Sequence, residues 1–338
     1  MIFFSGCQDE KTDIGGTTIT AGQMPNVVKD NSGNFHLVYG HGDSIMYSYS
    51  SSGRTFSTPV LVSIIPKLAA SHMRGPQIAA TSDGLIVTAC NDLGDIFSFS
   101  KSQSGKWNQS GRVNDIDTVA KENLMALAAD EKNAFAVWLD LRNKHNQIYG
   151  ARSTDGGKNW SKNNMIYVSP DTTVCECCKP SVVVKGDNVY VMFRNLLNGN
   201  RDMYLIQSSD EGLTFGSAQK LGTGSWALNG CPMDGGAIAI NKSGSPETVW
   251  NRKGMIYTCE PGKEEKELGK GRSCTIETVN GKNVYAWVED GEIIVLKPMG
   301  MRRTLGKGQL PILKAINNEH VLCVWENDKQ IRKAIVEL

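Results

Sequence analysis

Four segments of this chain close a Ser- or Gly-rich turn on an aromatic residue at nearly even intervals. They are Ser50 to Phe56, Ser102 to Trp107, Ser153 to Trp160 and Ser208 to Phe215, so the closing aromatics are separated by 51, 53 and 55 residues. A second series runs further. Short β-rich runs end at Tyr39, Cys90, Trp138, Phe193, Trp250, Trp287 and Trp325, and another apolar run starts 13 or 14 residues before most of these marks, at Pro25, Pro76, Leu124, Pro180, Ser273 and Pro311. A third run follows, as in Ile45-Met46-Tyr47 and Ile294-Val295-Leu296. Self-similarity at steps of 37 to 57 residues, built from alternating short strands with no helical periodicity, predicts four-stranded antiparallel sheets repeated around an axis. Seven marks predict seven blades. The chain ends on a third strand, so Thr17 to Thr20 is expected to supply the fourth and close the ring, which removes free sheet edges. A pair of β-sandwich domains is the alternative, and it does not account for the even spacing. The 35 glycines fit a fold rich in hairpins.

Charge and hydropathy narrow the function classes. Thirty-six basic residues against 35 acidic ones leave no excess of Lys and Arg for a phosphate backbone, so nucleic acid is not an expected partner. No apolar run approaches the roughly 20 residues that span a bilayer. Cys7 ends the stretch Phe3-Phe4-Ser5-Gly6 and is followed by polar Gln8-Asp9-Glu10-Lys11. That arrangement resembles the end of a bacterial lipoprotein signal with a Bacteroidetes-type surface-export sequence behind it. The resemblance implies acylation at Cys7, a start placed too late or a trimmed leader, and a location in the periplasm or on the surface of a Gram-negative cell. Residues 1–12 are then a signal remnant and flexible N-terminus, residues 13–338 the propeller, and the lipid is the only contact with a membrane.

The segments at 153–160 and 208–215 match Ser-x-Asp-x-Gly-x-x-aromatic and resemble the Asp box of the sialidase superfamily; the first two copies lack the Asp. In that motif the Asp caps a turn and the aromatic packs between sheets on the outer rim, so Asp155 and Asp210 are expected to be structural. Sialidases have six blades, which is the alternative to the count of seven. The family binds a substrate carboxylate with three Arg residues and uses an Asp as acid/base. Met73-Arg74-Gly75-Pro76 keeps its Arg-x-Pro spacing, and Asp92 and Asp95 lie 18 and 21 residues on. The resemblance therefore implies Asp92 or Asp95 as acid/base and Arg74, Arg194 and Arg252 as the carboxylate clamp of an exo-sialidase-like glycoside hydrolase. The chain departs from the family in lacking the second Arg before that Asp and a Tyr in the nucleophile position.

Propeller sites form where loops between and within blades meet the axis. Arg74, Asp140, Arg142, Arg194, Arg201, Asp202, Asp234 and Arg252 all fall in such loops. Singly, each fits a solvated charge or an Asp–Arg brace between blades. Together they mark a site for a glycan or another anionic small molecule, because Arg grips carboxylates in a planar, two-point manner. Trp226 is placed either to stack on a sugar face or to lie over a blade interface. A non-catalytic surface propeller that binds a glycan or a protein is the second reading.

Cys175, Cys177, Cys178 and Cys231 precede the first strands of adjacent blades, so their sulfurs are expected to meet near the axis. Outside the cytosol, two disulfides stapling these loops are one reading. A thiolate site for zinc or copper, joined by His72, Met73 and Met233, is the other, since soft sulfur selects such ions; a reactive thiol is the third. No cofactor is expected to be required. The Cys-x-Cys-Cys-x-Pro element also resembles exported Asp-box proteins that share it. Cys90, Cys259, Cys274 and Cys323 fall in strands and are expected to be packed rather than bonded.

Overall fold

A computed structural model describes residues 16–102 and 105–338. Cys7 and the proposed signal lie outside the described residues. The chain forms seven four-stranded antiparallel sheets arranged as a β-propeller. Strands β2–β5 (Gln23–Lys29, Phe35–His41, Ser44–Ser50, Val60–Ile64) make blade one. Blade two is β6–β9 (Gln77–Thr81, Gly84–Cys90, Ile96–Ser102, Asn108–Arg112), and blade three is β10–β13 (Met125–Asp130, Asn133–Asp140, Gln147–Ser153, Asn164–Tyr167). Blade four is β14–β17 (Ser181–Lys185, Asn188–Leu197, Asn200–Ser208, Gln219–Lys220), and blade five is β18–β21 (Gly236–Ile240, Pro246–Arg252, Met255–Cys259, Lys266–Lys270). Blade six is β22–β25 (Arg272–Val279, Lys282–Glu289, Glu292–Leu296, Arg302–Lys307). Blade seven takes β26–β28 (Gln309–Ala315, His320–Asn327, Gln330–Glu337) and closes with β1 (Thr17–Ala21), which pairs antiparallel with β28 from Thr17–Lys333 to Ala21–Gln330. Ring closure by the N-terminal strand and the count of seven agree with the repeat reading; the six-bladed alternative does not hold. Among the described residues the sole helical turn is Pro298–Gly300, and no helix is long and apolar enough to cross a membrane.

Every sequence mark falls on the second strand of its blade, and the reason is burial on both faces. Strand β11 is buried from Ala134 to Asp140 because sheets lie against both its sides. Seven hydrophobic clusters each join consecutive blades: Tyr39 lies between blades seven and one, Trp138 between two and three, Phe193 between three and four, and Trp250, Trp287 and Trp325 at the next three interfaces. Burying one such side chain is worth about 2–3 kcal/mol. Cys90 breaks the pattern. Its cluster is shared with blade three, while Ala89 turns toward blade one, as the two-residue strand period requires of neighbours. Several outermost strands are polar and mostly exposed, as in Asn108–Arg112 and Lys266–Lys270, which discourages edge pairing with other chains, whereas β5 exposes Val60, Leu61 and Ile64.

The turns at 153–160 and 208–215 are built as the motif requires. Asp155 accepts from the backbone N–H of Lys158 (3.1 Å) and Asn159 (3.0 Å), while Asp210 accepts from that of Thr214 (2.9 Å). Ser153 and Ser208 accept from Gly157 and Gly212, both at positive φ. A Cβ on Gly212 would come within 2.3 Å of the Phe135 ring in the preceding blade. These residues are structural and lie on the blade periphery.

Candidate functional site at the axial mouth

The site lies where the first strands begin, over blades two to six. The segment entering blade four is hung on strand β15: Val174 bridges Asn195, and the Cys175 N–H donates to the Arg194 carbonyl at 3.0 Å. This puts three sulfurs together, with Cys175 Sγ 3.6 Å from Cys177 Sγ and 3.4 Å from Cys178 Sγ. Cys177 forms a disulfide with Cys231 from the segment entering blade five. Cys175 and Cys178 are free and almost fully buried, whereas Cys231 is exposed. The expectation of two disulfides is thus corrected to one. The second pair faces itself as a dithiol because both sulfurs leave the same turn three residues apart. Cys90, Cys259 and Cys323 are free and buried, and Cys274 is free at the head of blade six.

Two arginines surround the sulfurs. Arg201, at the start of β16, donates from Nη1 to Cys175 Sγ (3.0 Å) and to Glu176 Oε2 (3.2 Å), and its backbone N–H donates to the Trp226 carbonyl (2.8 Å). It therefore ties the cysteine turn to the Trp226 loop. Arg194 is 1% exposed and spans two blades, donating to the carbonyls of Arg201 (2.9 Å) and Asn251 (2.8 Å). Its guanidinium lies 5.4 Å from the Trp226 ring. The thiol hydrogen bond from Cys178 pulls the Cys175 pKa well below the usual thiol value; burial opposes this, and the Cys177 N–H and Arg201 add to it. Cys178 moves the opposite way, raised by burial and by the proton it gives Cys175. A thiolate beside a thiol is the arrangement these shifts describe.

Asp234 begins blade five. Both its oxygens accept from the Ser273 N–H (3.1 and 3.0 Å), and burial raises its pKa to about 6 against those bonds and the nearby Arg194 and Arg272. Asp202 accepts from the Trp226 N–H at 2.8 Å and pairs with Lys220 at 3.1 Å, holding the half-exposed Trp226 over Arg194. Arg74 donates from Nε to the Glu122 carbonyl at 2.7 Å, and Glu176 is close enough to help raise the Glu122 pKa, after burial. The mouth thus brings together Arg74, Arg194, Arg201, Asp202, Trp226, Asp234 and the four cysteines.

Other expected residues are spent elsewhere. Asp95 is buried and holds Arg112 (2.8 Å) and the Thr118 N–H (2.9 Å); Asp92 is exposed on the neighbouring turn. Asp140 is fully buried under Trp138 Nε1 (2.8 Å) and Arg142, whose guanidinium also reaches Asp115 and stacks 4.2 Å from the Tyr149 ring. Arg252 pairs two-pronged with Glu265 and lies 4.0 Å from the Tyr257 ring. Of the carboxylate clamp expected from the family, Arg74, Arg194 and Arg252 each already serve a protein acceptor.

A residue outside the sequence reading stands in their place. Arg272, which opens blade six, is exposed, anchored by one Nη to the Met233 carbonyl (3.0 Å), and lines two adjoining cavities of roughly 560 and 440 Å³. The signal was Gly271 before it. A Cβ there would sit 2.3 Å from Trp287, so only Gly lets the chain cross that ring and present the next side chain at the mouth. The axial channel below, roughly 260 Å³, holds Lys179, whose pKa burial lowers to about 8.

Fold and site together define a seven-bladed propeller with a sulfur- and arginine-lined mouth. No protein-family model matches the chain, and no curated protein matches it in sequence. Solved structures do match it in fold. An α-L-arabinanase of Penicillium chrysogenum complexed with arabinobiose is 12% identical, covering 96% of this chain and 98% of its own at a TM-score of 0.58. Virginiamycin B lyase from Staphylococcus aureus is 11% identical over 95% and 96% at 0.59, and a PL25 ulvan lyase is 10% identical over 96% and 94% at 0.57. At these identities the likeness is one of fold.

Proposed function

We propose that this chain is an exported propeller that binds a glycan, or a similar polar anionic molecule, in the cleft across its axial mouth. The observation that carries the reading is Arg272. It is an exposed guanidinium at the junction of two cavities, with Lys270, Asn251, Glu289 and Asp290 on the walls of one of them. Cavities of several hundred Å³ with a few convergent polar groups suit a mono- or disaccharide. Trp226, held over Arg194 nearby, offers a ring face to a sugar. Several structural neighbours were solved with saccharides bound, which agrees with a glycan ligand. Export is supported by the Cys177–Cys231 disulfide, a bond that persists outside a reducing cytosol. Binding is preferred to sialidase-type hydrolysis because the acid/base candidates of that resemblance lie elsewhere, while the carboxyl groups of the cleft include Asp234, held by the Ser273 N–H, and Glu289, paired with Arg302. Asp95 is held by Arg112 and the Thr118 N–H, and neither it nor Asp92 lines the cleft.

An array of acidic and neutral oligosaccharides, followed by titration calorimetry on the best ligand, tests this reading. Arg272→Ala is expected to weaken binding about tenfold, the loss of one charge-assisted hydrogen bond, while Lys263→Ala on an outer turn leaves it unchanged. Absence of any saccharide ligand, or equal affinity in Arg272→Ala, refutes the assignment. Release of a fluorogenic sialoside or uronide would return the chain to the hydrolase reading.

A further inference from the structure

The binding cleft leaves the sulfur cluster without a task. Four cysteines stand at one place with one disulfide between them, and the free pair touches the bonded one: Cys175 Sγ is 3.6 Å from Cys177 Sγ and 3.4 Å from Cys178 Sγ. A disulfide whose only role was to staple the loops of blades four and five would not need two buried thiols against it. We propose that Cys175, Cys177, Cys178 and Cys231 form a disulfide relay, passing one disulfide between a pair with one exposed sulfur (Cys177–Cys231) and a fully buried pair (Cys175–Cys178).

The exchange needs no outside oxidant. The Cys175 thiolate attacks Cys177 Sγ; the Cys175–Cys177 bond forms as the Cys177–Cys231 bond breaks, and Cys231 leaves as a thiolate. Cys178 then attacks Cys175 Sγ, forming Cys175–Cys178 and releasing Cys177 as a thiolate. The proton that Cys178 carried ends on Cys231. One disulfide, one thiol and one thiolate are present before and after.

The surroundings fit each step. Arg201 Nη1, 3.0 Å from Cys175, holds the attacking sulfur as an anion. Burial of Cys175 and Cys178 keeps external thiols from reaching them directly. Cys231 is exposed on the mouth, so a small thiol or a thiol-bearing protein reaches the relay there. The Cys175–Cys178 pair would store an oxidising equivalent, and the Cys177–Cys231 pair would exchange it through Cys231.

Disulfide mapping of the full chain tests the relay. Protein carrying one disulfide is acid-quenched at intervals at neutral and mildly alkaline pH, its free thiols are alkylated, and linked cysteines are assigned by fragmentation mass spectrometry. The Cys175–Cys178 linkage is expected to accumulate beside Cys177–Cys231, with Cys231 becoming alkylatable in the same proportion and the total of free thiols constant. Cys175→Ser removes the attacking sulfur and is expected to slow appearance of the Cys231 thiol by at least about tenfold. Cys178→Ser, which leaves the native disulfide in place, is expected to trap the Cys175–Cys177 intermediate. A fixed Cys177–Cys231 linkage at every time and pH in the wild type overturns the relay. So does undiminished Cys231 release in a folded Cys175→Ser variant.

Discussion

Replacing Arg201 by Met keeps an apolar stem but withdraws the guanidinium that lies 3.0 Å from Cys175 Sγ and 3.2 Å from Glu176. A hydrogen bond to a charged partner is worth about 1.5–3 kcal/mol, and one pKa unit corresponds to about 1.4 kcal/mol. The Cys178 thiol bond, the largest cause of the lowered Cys175 pKa, survives the substitution. The expected rise is therefore about one unit, not a full return to the ordinary thiol value. The assay is a titration of thiolate ultraviolet absorbance, with Cys175→Ser subtracted to isolate the signal. A thiol whose pKa is lowered by folding contributes stability above its unfolded value and loses it as pH falls through the folded value. The stability difference between wild type and Arg201→Met should accordingly open as pH rises from about 6 through the variant's folded value and stay level above it. Lys220→Met is the control, because Lys220 pairs with Asp202 at 3.1 Å in the same wall. An unchanged midpoint in Arg201→Met, or an equal shift in Lys220→Met, would refute the assignment of Arg201 as the thiolate's partner.

Three further outcomes follow from the same geometry. Asp140→Ala strips the buried partner from Trp138 Nε1 and from Arg142, and should cost about 3 kcal/mol in chemical denaturation with no change in ligand affinity. Asp234 has a folded pKa raised to about 6 from 3.8, so its contribution is full below about pH 4 and is lost as pH rises through 6; Asp234→Asn should flatten that part of the stability profile. Lys179, lowered to about 8, behaves in reverse: its contribution is present above its ordinary value and is lost as pH falls through 8. Lys179→Met should stabilise the fold at neutral pH by about 1–2 kcal/mol, discounted for water in the channel, and an unchanged melting temperature would count against burial of that ammonium group.

The legible and illegible parts of this chain differ for a definite reason. Marks such as Trp138 and Trp325 report strands buried on both faces, and that burial recurs once per blade whatever the loops do. Thr17 to Thr20 could be assigned to ring closure because a chain ending on a third strand leaves one edge unpaired. Loop charges carry no such periodicity. Arg142 lies two residues from the Asp that neutralises it, and Arg252 lies 13 from its Glu, yet both read in sequence like mouth residues. Cys90 was counted as a mark and proved to face the other neighbour, a one-residue offset that spacing alone does not reveal.

Architecture was legible along the chain: seven blades, their order, the closing strand and the capped outer turns each depend on local patterns that repeat. Which groups remain for chemistry was set by contacts between blades. Four cysteines permit three pairings, and it took the meeting of two blade-entry segments to join Cys177 to Cys231 and leave Cys175 and Cys178 as a dithiol under Arg201. The same holds for Arg272. Its neighbours come from blades far apart in sequence, and whether a charge is free or already paired is fixed by contacts that no local pattern encodes.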